Sequence, residues 1–179
     1  MTAAIATVGP SATRKRWTPW TVINITCGAF LGWVAFYAVL GSFIHFGFDP
    51  QENRCLPWRL FIVRTAAPTS VHRGTLYQYY AEHIPLMPEG TRVVKYAAAV
   101  AGDTVDVDAD GVRINGTNWG PLNSLVLDKA HLTVQQVTTH YVVPAGKVLM
   151  LGTLPRSYDG RYFGLIPTQQ LSGKAFAIW

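Results

Sequence analysis

The chain has 179 residues, of which 49% are hydrophobic and only 14% charged, against about 25% charged in ordinary soluble domains. With 15 Lys and Arg against 10 Asp and Glu, the formal charge is +5. This composition excludes a disordered or collagen-like chain, and the presence of only two cysteines excludes a disulfide scaffold, a zinc knuckle and an iron–sulfur site.

The apolar excess lies in one block. Between Arg16 and Asp49 no Asp, Glu, Lys or Arg occurs. A bilayer core of about 30 Å needs about 20 helical residues, and the block exceeds that. A spanning helix is predicted from Trp20 or Thr21 to about Ile44, with Pro19 at its start and Trp17 and Trp20 at the headgroup level. Residues His45 to Phe48 then emerge at the far interface. A buried core helix rarely runs this long without a charge, and the apolar region of a cleaved secretory signal is only about 7–15 residues, so the segment reads as an uncleaved anchor. Arg14, Lys15 and Arg16 precede it, whereas Asp49 and Glu52 follow it. By the positive-inside rule, residues 1–19 are a cytoplasmic tail, 20–48 the membrane anchor and 49–179 an exported domain. Past the anchor, 12 basic residues are scattered among 10 acidic ones. That leaves no basic stripe for nucleic acid.

The exported part reads as mainly β. Segments 59–64, 75–80, 92–100, 104–107, 112–114, 140–143, 148–151 and 175–179 are short runs rich in Val, Ile, Leu, Tyr and Phe. Turn residues separate them, including Pro88-Glu89-Gly90, Ala101-Gly102-Asp103, Asn115-Gly116 and Pro144-Ala145-Gly146. The spacing predicts an antiparallel sandwich or coiled barrel. Two stretches are ambiguous: Ala97-Ala98-Ala99 favours helix on propensity alone, and residues 120–136 read as a short helix or a long loop.

Three segments are candidates for chemistry. Cys55, in Asn53-Arg54-Cys55-Leu56-Pro57, is either a small buried hydrophobe or a nucleophile close to the outer membrane boundary. A disulfide to Cys27 is excluded, because Cys27 lies within the span. Lys95 shares a strand face with Val93, Ala97 and Ala99. It either snorkels out at a sheet edge or is desolvated, so that its neutral amine can accept a proton. The third segment, Ser157-Tyr158-Asp159-Gly160-Arg161-Tyr162-Phe163-Gly164, reads alone as a polar turn with an ion pair feeding an aromatic strand. His72, His83, His131 and His140 show no metal-ligand spacing, and a Cys/His pairing with Cys55 stays open. Ser70 has no supporting motif, and Asn115-Gly116-Thr117 fits a hairpin turn better than a glycosylation sequon.

Taken in order after a single amino-terminal anchor, these segments resemble type I signal peptidases. That family has a nucleophile followed by Pro, a strand lysine running on to Ala-Gly-Asp, and a Ser-x-Asp-x-Arg-Tyr-x-Gly box. Here these correspond to Cys55-Leu56-Pro57, to Lys95 running on to Ala101-Gly102-Asp103, and to Ser157 through Gly164. Val71-His72-Arg73-Gly74-Thr75 and Val143-Pro144-Ala145-Gly146 resemble two further family turns, so the likeness covers about residues 53–167. Pro two positions after the nucleophile resembles the conjugative-transfer peptidases of the TraF type. The chain departs from the family in having Cys for Ser, Gly152-Thr153-Leu154-Pro155 for Gly-Asp-Asn-Arg, and Tyr96 for a basic residue.

The resemblance implies a signal-peptidase-like β domain with no cofactor and no metal. It implies Cys55 as nucleophile, Lys95 as general base and Ser157 as the group that holds the amine. Asp159 and Arg161 would brace their loop, and the Cys55 N–H with the Asn53 side-chain amide would form the oxyanion hole. The implied setting is the periplasmic face of a bacterial inner membrane, with the lipid bilayer, a pilin precursor and other type IV secretion components as partners. Because the acyl-enzyme would be a thioester, pilin cyclisation is expected over hydrolysis. A hydrolase of other exported proteins, or a non-catalytic scaffold in pilus assembly, are the alternatives.

Overall fold

A computed structural model describes residues 18–179. Arg14, Lys15 and Arg16, which carry the orientation argument, and Trp17, placed at the headgroup level, lie outside the described residues, as does most of the tail. The described residues form two units, divided between Leu40 and Gly41.

Helix α1 spans Pro19–Phe43, and none of its residues is buried. Pro19 opens it where a missing N–H is harmless, and the Thr18 hydroxyl accepts the Thr21 N–H at 3.3 Å. At about 1.5 Å per residue it is longer than a bilayer core. It is long and apolar enough to cross a membrane.

The sequence assigns residues 44–48 to the anchor, but Ile44–Phe48 forms strand β1. It pairs residue by residue with β2, Leu60–Arg64, from Ile44 opposite Arg64 to Phe48 opposite Leu60. Gly47 disfavours helix here, and the ladder satisfies the backbone groups that a helix end would expose.

The remaining strands follow in chain order: β3 Leu76–Tyr80, β4 Arg92–Ala99, β5 Thr104–Asp108, β6 Gly111–Ile114, β7 Thr117–Gly120, β8 Thr139–Val142, β9 Lys147–Leu151, β10 Ile166–Pro167 and β11 Leu171–Ala177. Between β7 and β8 lie α2, Ser124–Ala130, and the single turn α3, Val134–Val137. Between β9 and β10 lies a further single turn, α4, Gly160–Phe163. One antiparallel sheet has the order β1-β2-β11-β3-β4-β9-β10, and a second has β7-β6-β5-β8. The fold is mainly β. The alanine run is strand, because Ala97, Ala98 and Ala99 are all buried between neighbouring elements and tertiary packing overrides helix propensity. The expected Asn115-Gly116 hairpin joins β6 to β7, with φ of 49° and 76° at its two residues.

Strand β4 has two working faces. Tyr77 on β3 lies opposite Lys95, and Met150 on β9 lies opposite Ala97, so one face carries Lys95 beside the Tyr77, Tyr79 and Met150 core. Ala98 on the other face joins Leu149 and Leu151 in packing against Val105, Val112 and Ile114 of the smaller sheet. At the other end of the large sheet, Phe61, Val63 and Ala175 pack inward with Leu56. Their alternate neighbours face out. Phe46, Ile62 and Phe176 are register partners across three strands, and Phe46, Phe48, Phe176, Ile178 and Trp179 are all exposed. Lys174 sits over the Phe176 ring at 5.3 Å.

Candidate active site

Lys95 is fully buried. Its place near the middle of β4, between β3 and β9, rules out snorkelling at an edge. The amine donates to Ser157 Oγ at 2.9 Å, and Ser157 is itself completely enclosed. Two residues 62 positions apart thus share a dry contact.

The loop after β9 makes that contact. Its first residue, Gly152, is held at every backbone polar group: the N–H donates to Asp159 Oδ2 at 2.8 Å, and the carbonyl accepts from Arg161 Nη2 at 2.7 Å and from Trp119 Nε1 at 3.0 Å. Asp159 and Arg161 are buried and meet through Nη2 to Oδ2 and Nε to Oδ1, each 3.0 Å. Asp159 Oδ1 also accepts the Arg161 N–H, and Arg161 Nη1 donates to the Pro121 carbonyl. A buried ion pair is tolerable only when its remaining donors and acceptors are satisfied, as they are here. The sequence assigns an aromatic strand after Asp159. Instead Asp159 caps the helical turn α4, and Tyr162 is drawn inward to bond the Asn123 N–H through its hydroxyl.

Cys55 joins this arrangement through its backbone. Its carbonyl accepts the N–H of Thr153 at 3.0 Å and of Leu154 at 3.2 Å. A Cβ placed on Gly152 would lie 2.3 Å from Ser157 Oγ and 2.5 Å from the Cys55 carbonyl oxygen. Only a hydrogen at that position lets the Cys55 segment and Ser157 close on each other. Cys55 is half-buried and unpaired. It lines a pocket of about 380 Å³ whose apolar wall includes Leu86, Met87, Leu125, Val126 and Tyr158.

Asn53 also lines the pocket, exposed, with its Oδ1 accepting from Arg156 Nη1 at 3.1 Å. That bond leaves its amide N–H groups available to an acceptor. Ser70 and His72 bond each other at 3.0 Å through Oγ and Nε2. Among the described residues no three His, Cys, Asp or Glu cluster in a way that could hold a metal ion.

Sequence reasoning overlooks Trp119 and Tyr79, and it names Gly152 only as the first residue of a box that departs from the family. Trp119 and Gly152 meet across 33 residues, a contact that no local pattern marks. Tyr79, which shares the Lys95 face, is fully buried, and its hydroxyl has no partner among the described residues. Burial, and then the negative charge of Asp159, push its phenol well above the ordinary tyrosine range, so it stays protonated.

The family model for signal peptidase, peptidase S26, matches residues 29–179. Among solved structures, a signal peptidase I from Enterococcus faecalis V583 is 22% identical, over 59% of this chain and 97% of its own, with a TM-score of 0.38. No curated protein matches the chain.

Proposed function

The chain belongs to the signal peptidase family, peptidase S26, and from that premise we propose that it is a membrane-anchored peptidase and acyl transferase that trims a conjugative pilin precursor and joins its ends. Cys55 is the nucleophile and Lys95 the general base. The observation that carries this reading is the Lys95 amine, fully buried and 2.9 Å from Ser157 Oγ, on a loop whose amides also hold the Cys55 carbonyl.

The Cys55 thiol gives its proton to the Lys95 amine as sulfur attacks the scissile carbonyl. The oxyanion is met by the Cys55 N–H and the Asn53 amide. When the C–N bond breaks, the Lys95 ammonium returns the proton to the leaving amine, and a thioester remains. Ser157 fixes the amine throughout, and the Asp159–Arg161 pair fixes the Gly152 peptide that positions Ser157. A thioester favours an amine over water more strongly than an oxygen ester does. The pilin's own amino group therefore attacks, the C–S bond breaks, and an amide closes the ring as the thiol is regenerated. In the orientation with the amino terminus cytoplasmic, the domain faces the periplasm from the inner membrane, where inserted pilin and other type IV secretion components reach it.

Intact-mass analysis of pilin incubated with the full-length enzyme tests this. The expected product is one water lighter than the trimmed linear chain. Linear product alone would make the enzyme a hydrolase, and untouched pilin would make the protein a scaffold. Cys55→Ala and Lys95→Ala are each expected to abolish processing, and unchanged processing in either removes that residue from the mechanism.

A further inference from the structure

The pocket beside Cys55 has a charge character that the chemistry of peptide cleavage does not require. Its wall is apolar along α2, at Leu125 and Val126, but two cations complete it: Lys129 in the last turn of α2, and Arg156 on the loop next to Ser157. None of the lining side chains is acidic. Neither cation forms an ion pair among the described residues, and the Arg156 guanidinium is instead oriented by the neutral Asn53 carbonyl oxygen. Lys129 at a helix C-terminus gains something from the helix dipole, but that does not account for a second cation from a different element in the same cavity. Two uncompensated cations over an apolar floor raise the local potential inside a partly enclosed site.

We propose that this pocket receives an acidic side chain of the substrate, within a few residues of the scissile bond. The carboxylate is held by Arg156 and Lys129, and a neighbouring apolar residue rests on Leu125 and Val126. Arg156 can offer paired N–H groups to a carboxylate even with one N–H engaged by Asn53. The inference rests on the peptidase reading above, and it narrows the substrate class to peptides with a Glu or Asp near the cut.

The test separates binding from turnover. Full-length Cys55→Ala protein in detergent is titrated, by fluorescence anisotropy, with peptides of Ala and Leu capped at both ends, in which Glu, Gln or Lys is scanned through three positions on either side of a central Ala-Ala. The Glu peptide is expected to bind about tenfold tighter than its Gln counterpart at one or two positions at low salt, with the advantage shrinking as salt rises. In the Lys129→Glu/Arg156→Glu double variant, checked for an unchanged melting temperature, the preference is expected to reverse to the Lys peptide. Equal binding of the three peptides, no binding of any, or a preference that survives the double reversal overturns the proposal. Incubating the same peptides with enzyme that retains Cys55 reports on cleavage separately, so a binding preference without turnover would count against the peptidase reading alone.

Discussion

Gly152 shows how much of this site depends on an atom that is absent. Its side-chain position is flanked by Ser157 Oγ, Ser157 Cβ and the Cys55 carbonyl oxygen, all closer than 3 Å to where a methyl group would sit. One of those three is backbone and the other two belong to an enclosed residue, so none can step aside cheaply. Gly152→Ala is therefore expected to cost about 1–3 kcal/mol of stability, as overpacking does. It should also lower peptide processing about 100-fold, since displacing a positioned group by about 1 Å has that effect. Denaturant melts and processing assays on the same preparation check both, and a variant with parental activity would show that the Ser157 contact with Lys95 is dispensable. At this scale the sequence is informative about charged and nucleophilic residues and silent about their supports. Lys95 could be placed on an apolar face by alternation alone, and Asp159 and Arg161 by their box. Gly152, Trp119 and Tyr79 could not, because what they do depends on partners brought together only when β4, β9 and the loop after β9 assemble.

Among the elements, the turn between β4 and β5 holds a carboxylate whose ionisation supports the fold. Burial raises the affinity of Asp103 for a proton, but the Val100 N–H, the Asn115 amide and the Arg73 guanidinium outweigh it and hold the carboxyl below its ordinary range. An unfolded Asp titrates near about 3.9. A depressed carboxyl contributes stability above that value and loses it as pH falls toward the folded one, because the unfolded chain then binds more protons. The parent is accordingly expected to melt above Asp103→Asn at pH 6, with the gap narrowing as pH falls below about 4. A gap that stays constant across that series would mean that the turn is held by something other than this charge. The same turn was legible in the sequence, since Gly102 and Asp103 mark it, as was most of the β pattern. The departures occur where two signals overlap. Strand β1 is hidden because its residues continue the apolar block without a charge or a proline to separate them. The residues after Asp159 look like a strand by composition, yet the Asp159 cap and the inward pull on Tyr162 make them a helical turn.

On the scale of the whole molecule, the chain joins a helix fit for a bilayer to a β domain of the signal peptidase family. The apolar excess is not confined to the helix. The outward stripe formed by Phe46, Phe48 and Phe176, with Ile178 and Trp179 beyond, belongs to the domain itself, and Arg64 and Lys174 lie at its other end. This bears on how the protein can be handled at the bench. A fragment starting at Gly41 lacks most of α1 yet retains the entire stripe, so shortening the chain is not expected to yield a detergent-free sample. Such a fragment should elute as large assemblies in plain buffer and as a single species in mild detergent. Replacing Phe46 and Phe176 with Ser should move it toward a monomer in buffer, and size-exclusion chromatography with light scattering decides the matter, with a monodisperse unmodified fragment in buffer being the contrary result. For anyone crystallising or assaying this enzyme, the choice of amphiphile is thus a property of the β sheet as much as of the anchor.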